Sequence, residues 1–62
     1  MKYLRKYKDE SKWEEISREE MVEKLGRYYR NPEDIVKGLE SEEFSIIETP
    51  YAEYKVQKEV SR

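Results

Sequence analysis

The stretch "YYRNPEDIV", residues 28–36, constrains this chain more than any other. Pro32 has no amide hydrogen to donate, and its ring disfavours helical geometry at Asn31, so a helix arriving from the N-terminal side must stop there. The same proline suits the first position of a new helix, with Asn31 as its cap and Glu33 and Asp34 in the positively polarised first turn. Two helices are therefore expected to meet with almost no loop between them. The second, predicted over 32–40, has a short apolar face of Ile35, Val36 and Leu39, while Gly38 and Ser41 weaken its end.

The first helix announces itself at "SREE". Ser17 can accept from the amide of Glu20 and Glu20 can reach back, a capping box, with Ile16 placed to staple onto Met21. Over the predicted span 17–30, Met21, Val22, Leu25, Tyr28 and Tyr29 fall within an arc of roughly 120°. Arg27 and Arg30 point the other way, so both tyrosines are expected to border the core and both arginines to be solvated.

The C-terminal third changes period. "FSIIETPYAEYKV" is rich in β-branched and aromatic residues, and Ala52, Tyr54 and Val56 alternate with Glu53, Lys55 and Gln57. Strands are predicted over 44–48 and 51–57, with Pro50 at the turn between them or on an exposed edge. At the N-terminus "KYLRKYK" also alternates, placing Tyr3, Arg5 and Tyr7 on one face. A turn at "KDES" would return "KWEEI" beside it, a hairpin spanning 2–16. The expectation is one α+β domain over 1–62: a small antiparallel sheet of three to four strands, two consecutive short helices packed on one face, and the other face left open.

With 62 residues, such a domain buries only about 60% of its unfolded-chain surface. There is no cysteine to staple it and no histidine, which removes thiolate zinc sites and the usual general base near neutral pH. Charged residues make up 45% of the chain, but eight aromatics and well-marked helix caps argue for a folded domain rather than a disordered one. No apolar run approaches the roughly 20 residues of a membrane span, and "MKYLRKYKDE" lacks the apolar core of a secretory signal, so a cytoplasmic location is expected. Net charge is −2, distributed in blocks, with residues 9–23 and 31–53 acidic and residues 1–8 and 24–30 basic. Each acidic block opens a helix, and Lys24, Arg27 and Arg30 close the first one, as the helix dipole prefers.

These features exclude most chemistry. Adjacent carboxylates such as Glu14 and Glu15 or Glu42 and Glu43 diverge on a helix or a strand, so no catalytic pair, metal or cofactor is expected, and the chain reads as a non-enzyme. An interaction role is favoured, because six tyrosines and a tryptophan are more than so small a core needs, and tyrosine, tryptophan and arginine dominate interface hot spots. The candidate partner-binding residues are Tyr3, Arg5, Tyr7, Arg27, Arg30, Tyr51 and Lys55. The alternative is an accessory binder of single-stranded nucleic acid through Tyr3, Arg5, Tyr7 and nearby cations, where aromatics would stack bases and basic residues track phosphates. The acidic blocks also suggest local mimicry of nucleic-acid charge, and an edge strand ending in "KVQKEVSR" suggests pairing with a second copy.

The ordered pattern "KWEEISREEM…YYRNPEDIVKGLE…IIETPYAEYKV", residues 12–56, resembles small uncharacterised proteins of phages and prophages of Gram-positive bacteria. "TPYAEY" (Thr49, Pro50, Tyr51, Ala52, Glu53, Tyr54) is similar to their closing Thr-x-aromatic-Ala-x-aromatic strand. The resemblance implies a protein without catalytic residues that binds a host or defence protein and inhibits or modulates it.

Overall fold

The structure is a computed structural model and describes residues 1–58. Six elements follow in order: β1 (Lys2–Tyr7), β2 (Glu14–Ile16), α1 (Arg18–Leu25), α2 (Pro32–Glu40), β3 (Ile47–Glu48) and β4 (Ala52–Gln57). They form the α+β architecture expected, a four-stranded antiparallel sheet with both helices on one face.

The strand order is β2-β1-β4-β3. β4 is thus paired with β1 along its whole length, but β3 meets it only at Glu53 and Tyr54, so the outer side of Lys55–Gln57, the stretch expected to pair with a second copy, has no strand partner among the described residues. The rest of that stretch, residues 59–62, lies outside the described residues. The outermost strands, β2 and β3, are three and two residues long, poor templates for strand addition.

Register places Tyr3, Arg5 and Tyr7 opposite Val56, Tyr54 and Ala52, and this face receives the helices. Met21, Leu25, Val36, Leu39, Ala52 and Tyr54 form the buried core, with Tyr3, Ile16, Val22, Tyr29, Ile35, Ile47 and Val56 packed around it. The opposite face carries Lys2, Leu4, Lys6, Glu53 and Lys55. Trp13, just before β2, lies across it with Lys55 Nζ 4.3 Å and Lys6 Nζ 5.7 Å from its ring centroid. Leu4, flanked by Glu15 and Lys55, is buried on this side although no helix covers it.

Ser17 Oγ accepts from the Glu20 amide at 3.0 Å, but the reciprocal half of the capping box does not form, because the Glu20 carboxylate takes Arg5 instead at 2.9 Å. Helix α1 ends at Leu25, five residues short of expectation. Gly26 makes the last helical bond, to Val22, and turns follow through Tyr28. A residue of low helix propensity meets two tyrosines, of poor propensity themselves, and the chain unwinds before Pro32. The Asn31 side chain makes no cap bond, and its backbone carbonyl accepts from Asp34 and Ile35.

Helix α2 ends in a Schellman arrangement: the Glu43 amide bonds Gly38 O at 2.9 Å and the Glu42 amide bonds Leu39 O at 3.3 Å. Glu42 stands at φ 67°, where glycine is the usual occupant. Glu42→Gly is therefore expected to raise stability by about 1 kcal/mol, read as a later midpoint in urea unfolding. Phe44 closes over this end, its ring lying where a Cβ on Gly38 would stand. That contact draws residues 44–46 away from β4, so β3 is much shorter than the 44–48 predicted.

Across the top of the helix layer runs a polar chain. Tyr3 Oη donates to the Glu40 carboxylate, Arg18 Nε donates to the same carboxylate at 3.0 Å, and Arg18 Nη2 reaches Glu33 at 3.1 Å. The hydrogen bonds from Tyr3 and Arg18 hold Glu40 below the ordinary carboxylate range, and the Glu40 contact, with burial, raises Tyr3. Stability contributed by Glu40 is thus complete above the usual carboxylate pKa and is lost as pH falls through its lowered value. That contributed by Tyr3 is complete below the usual phenol pKa and is lost as pH rises through its raised one. In urea titrations at graded pH, Glu40→Gln should flatten the acid limb, and an unchanged limb would remove Glu40 from this account.

Candidate binding surface

The Thr49–Ala52 turn builds the surface. Thr49 N donates to Ala52 O at 2.8 Å, closing a two-residue loop of Pro50 and Tyr51 between β3 and β4. Buried Thr49 adds its hydroxyl, which donates to Ala52 O at 2.9 Å and accepts from the Ala52 amide at 3.1 Å. The Lys8 amide holds Tyr51 O at 3.0 Å, so the loop is tied to the end of β1 as well. With its backbone fixed from two sides, Tyr51 leaves its side chain 70% exposed. Thr49→Val, close in shape, removes both hydroxyl bonds and is expected to cost about 1–3 kcal/mol, while Thr49→Ser should keep most of that. Chemical denaturation checks both.

Tyr28, carried outward by the turns after α1, meets Tyr51 with ring centroids 6.4 Å apart and planes at 47°. This corrects the expectation that both tyrosines of "RYYR" border the core. Tyr29 does so and donates to Glu48 O at 3.3 Å, whereas Tyr28 is 41% exposed. Tyr7 completes the cluster from the last position of β1. Tyr7, Tyr28 and Tyr51 form an aromatic ridge at one end of the sheet, with a cleft on each side. The larger, about 770 Å³, lies towards the β1–β2 connection and has Asp9, Glu10 and Glu14 on its wall. The smaller, about 200 Å³, lies towards the end of α1 and carries Lys24 and Arg27. Tyr7 and Tyr51 line both.

Of the sequence candidates, Arg5, Tyr7, Arg27 and Tyr51 are brought together here, and Tyr3, Arg30 and Lys55 are not. Tyr3 is half-buried against Glu40, and Lys55 is on the far face of the sheet against Trp13. Arg30 is exposed beyond the turns that follow α1. Arg5 serves as support rather than as a free cation. Its side chain is 11% exposed, with Nη1 on Glu20 at 2.9 Å, Nη2 3.7 Å from Glu14 and the guanidinium 4.5 Å over the Tyr7 ring. The strand face of Tyr3, Arg5 and Tyr7 expected for base stacking is therefore covered at Tyr3 and Arg5, and of the three only Tyr7 is exposed. Sequence reasoning missed Tyr28, Lys24 and the Asp9–Glu10 wall. The basic close of α1 was the one signal for Lys24.

Among the described residues no group of three or more carboxylates gathers as a metal cage, and no helix is long and apolar enough to cross a membrane. No protein-family model, curated protein or solved structure matches the chain.

Proposed function

We propose that this chain is a non-enzymatic protein-binding module whose contact surface is the ridge of Tyr7, Tyr28 and Tyr51. The observation that carries this is Tyr51, 70% exposed on a turn that four hydrogen bonds hold in place. An aromatic ring with its backbone already ordered loses little further freedom on binding, which is how interface anchors gain their effect. Two further rings beside it and charges of both signs at its margins match an interface centre with a polar rim. The resemblance to short phage and prophage proteins supplies the context in which the partner is a host or defence protein that the module inhibits or modulates.

Affinity capture from a lysate of the organism carrying the gene tests this, comparing the native chain with a Tyr28→Ser/Tyr51→Ser variant. A protein held by the first and lost by the second supports the reading. Equal capture by both overturns it. Capture that nuclease abolishes and that weakens steeply with salt assigns the ridge to nucleic acid instead.

A further inference from the structure

The two flanks of the tyrosine ridge carry opposite charge. On the β1–β2 side stand Asp9 and Glu10, neither of which has a cation within ion-pair distance among the described residues, and Glu14, 3.7 Å from Arg5. On the α1 side stand Lys24 and Arg27, which likewise have no carboxylate partner among the described residues. The acidic flank also holds two cations, but both are taken within the chain, Lys8 by Glu48 and Arg5 by Glu20 and Glu14. Unpaired charge of both signs thus borders one exposed aromatic centre.

A surface of that layout is complementary to itself. A two-fold axis near Tyr51 sets the acidic flank of one copy on the basic flank of the other, and does so twice. A patch of one sign would repel its copy, and a net charge of −2 per chain adds little long-range repulsion. We propose that a second copy of this chain occupies the ridge, in a two-fold dimer where Asp9 and Glu10 of each protomer face Lys24 and Arg27 of the other. The proposal rests on the reading of the ridge as a protein contact and names its occupant. It also gives that contact a regulation: the dimer conceals the surface, and any other partner must displace the second copy.

Charge exchange tests it. The variants are Lys24→Glu/Arg27→Glu and Asp9→Lys/Glu10→Lys, with circular dichroism melts confirming that each folds. Sedimentation equilibrium of the native chain should show a dimer that dissociates on dilution and weakens as salt rises. Each variant alone sets like charges against each other at both contacts and should be monomeric, its dissociation constant raised at least about tenfold. Mixed in equal amounts they restore opposite charges at both contacts and should form a 1:1 heterodimer. Tyr51→Ser, with all charges intact, should also weaken the dimer. A native chain still monomeric at about 1 mM in low salt overturns the proposal, as do variants that still dimerise alone or a mixture that stays monomeric. A monomeric native chain that captures another protein through Tyr51 removes the second copy as occupant and leaves the binding reading standing. Loss of both removes both.

Discussion

Leu25→Ala should lower the melting temperature by about 8 °C or more. Leu25 is fully buried on the last turn of α1, in one core with Met21, Val36, Leu39, Ala52 and Tyr54. Truncating a buried leucine costs about 2–5 kcal/mol, through lost transfer energy and the cavity left behind. A chain of this length has a total stability of roughly 3–9 kcal/mol, so one such cavity removes a large share of it. No disulfide is present to soften the loss, since the chain has no cysteine. Leu25→Met, which nearly conserves volume, should cost less than about 1.5 kcal/mol. Thermal melts followed by circular dichroism separate the two, at about 4–8 °C per kcal/mol for so small a domain. If Leu25→Ala melts within a few degrees of the native chain, the core is not where this structure puts it.

Tyr51→Ser should do the reverse. The ring is 70% exposed and the turn beneath it is held by Thr49 and by the Lys8 amide, so the melt should stay within about 0.5 kcal/mol of native. Partner affinity should fall by about 2 kcal/mol or more, close to thirtyfold, as for a central interface anchor. Tyr3→Ala serves as the counterpart. Tyr3 packs against the core and donates to Glu40, so its removal should lower the melting temperature. A Tyr51→Ser variant that melts early, or that binds its partner with native affinity, contradicts the assignment of the ridge.

Local chemistry made much of this fold legible. Pro32 forced a helix to stop and let another begin, Ser17 marked a start through its own hydroxyl, and "TPYA" formed a turn because Thr49 and Ala52 satisfy each other. What escaped was non-local. Whether Glu20 caps its own helix or pairs with Arg5 depends on which strand lies under α1, and no spacing within "SREE" reveals it. The early end of α1 rested on a weak signal at Gly26, and the outward turn of Tyr28 followed from it. The place of β4 between β1 and β3 could not be read locally, because strand order depends on the N-terminal strand inserting beside it. The shortness of β3 depends on Phe44 finding Gly38 across the end of α2. Of the surface, Tyr51 and Arg27 were visible as residue types, but their meeting with Tyr28 required the tertiary structure.

The pairing of β1 with β4 carries a consequence for how the chain comes into being. β1 finds its neighbour in β4, more than 40 residues later, so most of the sheet's ladder cannot close until residues 52–57 have left the ribosome. Until then β1 has only its short hairpin with β2. The helix pair, whose contacts are close in sequence, can dock earlier. The sheet is therefore complete only once β4 has docked, and the tyrosine ridge, which needs Tyr7 and Tyr51 side by side, is completed with it.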